Sequence, residues 1–272
     1  MSTTFKPGTF TPAPKRTSAG AMLLAHGTME AKLMLRHGEQ LLVNVLIPAA
    51  ILLDDMDVAA TMPMLLMSGL MNSGQACVAQ TRILAPRSRY DEILEAMVTG
   101  AGFMAVGDPS DPATALGPLI SEKQRDRVEA YIAKGKEEGA RVVLGGGRPA
   151  GLDRGWFVEP TVFADVDNQA TVAREEIFGP VAPITTFATD EEAIRLANST
   201  EYGLVAYVFT ENTSRTIRVA EALEFGMVGI NQGVVSNPSA PFGGVKHSGF
   251  GREGGFEGIE EYLETKAVAR PA

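Results

Sequence analysis

A single cysteine, Cys77, stands in 272 residues. No internal disulfide framework and no cysteine-cluster metal site can therefore form, and the chain suits a reducing, cytoplasmic compartment. Positive charge is also scarce. The 24 Lys and Arg against 33 Asp and Glu leave a net charge of −9, which argues against a basic nucleic-acid footprint and against anionic membrane surfaces. Long apolar runs are missing too. The strongest, Leu41 to Leu53, is interrupted by Asn44 and Pro48 and falls well short of the ~20 residues that span a bilayer; it reads as one or two buried strands. The stretch from Ala19 to Ala25 is broken by Gly20 and lacks a small-residue cleavage pattern, which argues against a secretory signal.

What is present is an ordinary globular composition, 45% hydrophobic with a mean hydropathy of +0.04, in a chain long enough for a substantial core. The charge is uneven. Residues 1–43 carry Lys6, Lys15, Arg16, Lys32 and Arg36 against Glu30 and Glu39, so this segment is basic while the rest is strongly acidic. Its first 21 residues are rich in Thr, Pro, Ser and Gly and read as a mobile tail, so residues 1–43 are expected to form a divergent, partly disordered N-terminal segment. Met62, Met64, Met67 and Met71 sit on a segment whose apolar spacing predicts a helix over 55–71, where core packing accounts for them.

Beyond it, short apolar runs alternate with helical segments. Strands are predicted over 81–85, 141–144, 205–210 and 227–231, and helices over 88–99, 122–139, 190–197 and 214–223. This is the pattern of an α/β fold with a mostly parallel sheet flanked by helices. Gly145 to Gly155 reads as a turn-rich connection.

Cys77 lies between a small-residue turn and an apolar stretch leading into a strand. An isolated cysteine is ordinarily a small buried hydrophobe. The flanks of Cys77 point elsewhere: Gly74 permits close backbone approach, and Asn72 and Gln75 bring amide donors of the kind that hold an oxyanion.

The segment from Asn72 to Arg82, reading NSGQACVAQTR, resembles the catalytic cysteine motif of the NAD(P)-dependent aldehyde dehydrogenases. Three further blocks follow in that family's order: Glu175 to Val181 (EEIFGPV), Asn231, and Pro241 to Glu253 (PFGGVKHSGFGRE). The resemblance covers roughly residues 52–272, with weaker similarity back to about residue 44. It implies that Cys77 is the nucleophile and that its backbone amide forms half of an oxyanion hole. It implies that Glu176 binds the nicotinamide ribose and Phe178 packs by the nicotinamide ring, that Glu253 stands near a proton-relay path, and that Asn231 and Phe242 line the substrate site. A glycine pattern over 249–254 spells G-x-G-x-x-G but opens no βαβ helix, so it carries no cofactor reading.

The resemblance also implies an organisation: residues 44–260 as the family's catalytic domain, and residues 261–272 as a C-terminal strand or tail that joins copies into a homo-oligomer. Members of the family are nearly twice as long, and the matching half excludes the dinucleotide-binding one. The family's general-base motif has no counterpart at the expected distance before Cys77, so Glu39, Glu253 and His247 are base candidates by chemistry alone. Without a cofactor half the hydride has no acceptor, whereas an activated ester needs only the thiol, water and a base. The expectation is therefore a cofactor-independent thiol esterase acting on small acyl esters, with no metal. The alternatives are an aldehyde dehydrogenase fragment using NAD(P) with a separate cofactor domain, and a non-catalytic assembly fragment.

Overall fold

A computed structural model describes residues 48–270. The readings made for residues 1–43, Glu39 included, and for the start of the 41–53 run lie outside the described residues.

Seven strands form one sheet: β1 (Ala49–Leu52), β2 (Arg82–Pro86), β3 (Arg141–Leu144), β4 (Thr161–Ala164), β5 (Val181–Phe187), β7 (Val205–Phe209) and β8 (Met227–Ile230). Their order is β3-β4-β5-β2-β1-β7-β8, and every pairing is parallel except β3 with β4. A separate two-stranded ribbon joins β6 (Tyr202–Gly203) to β9 (Val245–Lys246). The helices are α1 (Val58–Leu70), α2 (Tyr90–Gly102), α3 (Glu122–Glu137), the short α4 (Thr171–Arg174), α5 (Asp190–Asn198), α6 (Thr213–Ala222) and the short α7 (Glu257–Glu260). Side chains cap four of them, as Asp57 does for α1, Ser121 for α3, Thr189 for α5 and Asn212 for α6.

The two-residue period of the strands divides the core into layers. Ala50 and Leu52 face one way, beside Leu65 and Leu70 of α1 and Ile93 and Met97 of α2. Ala49 and Ile51 face the other way, beside Ala193 and Leu196 of α5 and Val219 of α6. A third cluster packs Val128 and Ile132 of α3 on Phe163 and Val181.

The mostly parallel α/β sheet is as the sequence predicts, with element ends shifted by a few residues. Two strands escape the apolar pattern. β4 is only four residues long, and β5 carries Pro183, which cannot donate to a ladder and so argues against the central position β5 occupies. Among the described residues the tail from Glu261 forms no strand, and Tyr262, Leu263 and Val268 stay exposed. The C-terminal strand or tail implied by the family resemblance thus has no ladder partner among the described residues.

Asp190 opens α5 and joins it to α6 through Arg215 and Arg218; its side chain is only 10% exposed. Hydrogen bonds from Arg215, then from Arg218, hold its carboxyl below the usual range. A depressed folded pKa means that the stabilisation is present above the unfolded carboxyl value, near 4, and is lost as pH falls through the folded one. Asp190→Asn should lower stability by about 2–4 kcal/mol at pH 7 and by much less near pH 2, as read from urea midpoints at the two pH values. Equal losses at both would contradict the ion-pair account.

Candidate active site

Strands β2 and β5 are parallel neighbours, registered Ile83 to Ile184 through Pro86 to Phe187. The loops leading into them are therefore brought side by side, although about a hundred residues separate them in the chain. One loop carries Cys77 and the other Glu176 and Phe178. Leu204, directly before β7, joins them along the amino ends of the strands. Open α/β sheets more commonly bind ligands at the carboxyl ends.

The first loop leaves α1 through three successive left-handed residues, Asn72 (φ 54°), Ser73 (φ 55°) and Gly74 (φ 68°), a conformation that costs non-glycine residues about 1–2 kcal/mol each. Local bonds offset this. Asn72 Nδ2 donates to the Gln75 carbonyl (2.9 Å), and Gln75 Nε2 donates to the Asn72 carbonyl (3.1 Å). Ser73 Oγ donates to the Gly117 carbonyl (2.7 Å), and Gln75 Oε1 accepts from Ile120 N–H (2.9 Å). Gly74 lies so close to the second loop that a Cβ there would sit 2.1 Å from the Gly179 carbonyl oxygen. Cys77 follows, half-buried and packed on the core.

The second loop is braced by one face of α3. Gln124 Nε2 donates to the Ile177 and Phe178 carbonyls (3.1 and 2.8 Å), and Arg127 Nη2 donates to the Glu176 carbonyl (2.7 Å). Tyr131 Oη donates to Glu175 Oε2 (2.7 Å); burial, then this bond, pushes the phenol up to about 12. Residues 124, 127 and 131 share a helix face by spacing, yet their amide, guanidinium and phenol groups resemble a solvated surface. That is why they went unnoticed, the three-then-four interval being their only signal. Phe178 takes φ 56° within this support.

A third wall comes from residues 242–253, where Phe242 and Glu253 exchange backbone hydrogen bonds (2.6 and 2.8 Å) and Arg252 donates to the Gly244 and Gly251 carbonyls. The three walls enclose an open cleft of about 920 Å³ that includes Cys77, Gln124, Glu176, Phe178, Phe242 and Glu253. Burial raises the Cys77 thiol above its ordinary value, its own backbone amide pulls it down, and the Glu176 carboxylate adds to the rise. These surroundings disfavour the thiolate, so attack calls for a base.

The structure thus brings Cys77, Glu176, Phe178, Phe242 and Glu253 together and leaves four other candidates outside, Gln75 among them through its bonds to the Asn72 carbonyl and the Ile120 N–H. Asn72 is exposed, its amide closes the left-handed turn, and it does not line the cleft. Asn231 (φ 49°) uses both ends of its amide on the backbone of Thr210, accepting from its N–H and donating to its carbonyl. It ends the sheet and does not line the cleft. His247 is exposed, with Nδ1 3.6 Å from Glu201 and its ring edge-on to Tyr202, away from Cys77.

The aldehyde dehydrogenase family profile matches residues 48–268. The chain belongs to the aldehyde dehydrogenase family. A geranial dehydrogenase of Castellaniella defragrans is 50% identical over 220 residues, 81% of this chain and 45% of that protein. A succinate-semialdehyde dehydrogenase of Paenarthrobacter nicotinovorans is 44% identical over 218 residues, 80% of this chain and 48% of that protein. Among solved structures, a Mycobacterium tuberculosis aldehyde dehydrogenase complexed with NAD+ superposes with a TM-score of 0.80 at 56% identity, covering 84% of this chain and 47% of that one. An aldehyde dehydrogenase of Pseudomonas syringae complexed with NAD+ and octanal gives 0.79 at 44% identity, covering 82% and 46%. The chain spans slightly less than half the length of these relatives.

Two expectations are corrected by membership of the aldehyde dehydrogenase family. The chain's relatives are dehydrogenases rather than esterases, and the superposed structures hold NAD+, so neither the cofactor-independent hydrolase nor the absence of a cofactor stands. The physical reason is visible in the cleft: the Glu176 carboxylate and the Phe178 ring line it together with the thiol, so a polar acceptor and a flat apolar surface stand beside the nucleophile that the esterase reading used alone. Among the described residues no helix is long and apolar enough to cross a membrane.

Proposed function

We propose that this chain is the catalytic part of an NAD(P)-dependent aldehyde dehydrogenase, with Cys77 as the nucleophile. The observation that carries the reading is the meeting of Cys77, Glu176 and Phe178 in one cleft. The donor set suits the nicotinamide end of the cofactor: a carboxylate accepts from ribose hydroxyls, and a phenyl ring held at a fixed left-handed residue flanks a flat heterocycle. When bound, NAD(P)+ supplies the hydride acceptor.

The chain's own residues do the rest. Cys77 Sγ forms a bond to the aldehyde carbon as its proton passes to water in the cleft and from there to a carboxylate, and the carbonyl oxygen becomes the alkoxide of a thiohemiacetal beside the Cys77 backbone N–H. Glu253, exposed on the cleft wall, is the carboxylate placed to exchange protons with water entering the site. Phe178, Leu204 and Phe242 shed water from the inner side. Gln124 and Arg127 keep the Glu176 loop in place by binding its carbonyls.

Completed with the amino-terminal half of the Castellaniella geranial dehydrogenase, the chain should form NADH from geranial or octanal, followed at 340 nm. Glu176→Gln should raise the KM for NAD+ about tenfold or more, the loss of a charge-assisted hydrogen bond. A folded, completed protein that forms no NADH from geranial, octanal or succinate semialdehyde would refute the assignment.

A further inference from the structure

Cys77 and Val78 are the central residues of a turn closed by the Ala79 N–H, which donates to the Ala76 carbonyl (3.0 Å). The peptide unit between Val78 and Ala79 thus has its N–H end held within the turn. Its other end is held from across the molecule: the Tyr207 hydroxyl donates to the Val78 carbonyl at 3.1 Å. Tyr207 is fully buried on β7, between Ala50 of β1 and Gly229 of β8. The ring has room because residue 229 is glycine, where a Cβ would lie 2.7 Å from Cδ1 and 3.0 Å from Cε1. A phenol buried on a central strand must find a partner, and the partner here is the residue after the thiol. Farther along, Gln80 Nε2 donates to the Gln232 and Gly233 carbonyls (3.3 and 3.1 Å), which secures the exit of the loop but not the turn itself.

We propose that Tyr207 is a positioning residue for the nucleophile: its hydroxyl fixes the Val78–Ala79 peptide plane, and with it the turn that presents Cys77. Strand β7 is stiff because it pairs on both sides. The hydroxyl therefore refers the thiol's position to the sheet rather than to the loop's own bonds. The inference rests on Cys77 being the nucleophile, and its test reads the thiol directly rather than turnover. A negative result would leave the nucleophile's assignment standing, since that assignment is tested by activity.

The only thiol of the full chain is titrated with iodoacetamide across pH 6–11. Tyr207→Phe keeps the ring and removes one oxygen. With the turn released, the thiol is less buried, and burial is the main cause of its raised pKa. The profile should shift to lower pH, and alkylation at pH 8 should quicken about threefold or more. Tyr90→Phe is the control: it also removes a tyrosine hydroxyl bonded to a backbone amide, that of Asp165 (2.8 Å), in a residue that does not line the cleft. It should lower Tm without moving the profile. An unchanged or slower rate in Tyr207→Phe, or a quickening shared by Tyr90→Phe, overturns the proposal. Should Tyr207→Phe not fold, Gly229→Ala decides alone, because its Cβ displaces the ring with the phenol retained and is expected to shift the profile the same way.

Discussion

Cys77→Ser is expected to lower aldehyde oxidation by the completed protein about a thousandfold or more, with the fold unchanged. The substitution exchanges one atom at a half-buried site, so packing is nearly conserved. A hydroxyl, however, ionises far above a thiol and is a weak nucleophile unless a base is already hydrogen-bonded to it. The Cys77 thiol is itself raised by burial and by Glu176, and the same surroundings would suppress an alkoxide more severely. NADH formation at 340 nm gives the rate, and an unaltered Tm gives the fold. In the 272-residue chain by itself iodoacetamide should label one site in the parent and none in the variant, because that chain has one cysteine. Retention of a tenth or more of the parent rate in Cys77→Ser would remove Cys77 from the mechanism.

The second large effect concerns the contact between the two loops. Gly74→Ala should cost about 2–4 kcal/mol, from strain at a left-handed residue together with overpacking. The added Cβ would meet the Gly179 carbonyl oxygen at 2.1 Å and its carbon at 2.5 Å, both backbone atoms with no rotamer by which to move aside. Gly179 has little freedom to retreat, since on its far side a Cβ would already lie 2.4 Å from Val128 of α3. The loops must part, and Glu176 and Phe178 then lose their placement beside Cys77. Gly139→Ala is the matched control. Gly139 is also left-handed (φ +91°) but has nothing within 4 Å of an added Cβ, so it shows backbone strain alone, about 1 kcal/mol. Urea midpoints of the two variants isolate the clash; equal losses would show that the loops are not interlocked at Gly74.

The sequence was most legible where function demands a residue type in a local pattern. Cys77 with its small-residue turn, Glu176, Phe178 and Glu253 all lie in contiguous motifs, and all meet at the cleft. It was least legible where direction matters. Asn72, Gln75 and Asn231 are amides suited to a reacting oxygen, yet each is spent on backbone within or beside its own loop. A residue's donor inventory can be read from its type, but its orientation depends on the backbone, and Asn72 and Asn231 both sit at positive φ. The braces were invisible for another reason. Gln124 and Arg127 act on carbonyls, and Tyr131 on the Glu175 carboxylate, of a loop far away in sequence, and Tyr207 acts across 129 residues. β5 was hidden by Pro183, tolerated in a central strand where residue 183 pairs with Phe163.

The adjacency of β2 and β5 also governs the order in which the site can come into being. During synthesis the nucleophile emerges about a hundred residues before the loop that seats it, and still longer before the wall carrying Phe242 and Glu253. No local segment can assemble the cleft. Its formation waits on non-local strand pairing, the slow step in folding a sheet of this topology. Until then Cys77 is an ordinary accessible thiol on an unfinished chain, open to oxidants and alkylating agents. Closure of the sheet first protects it and only afterwards makes it useful.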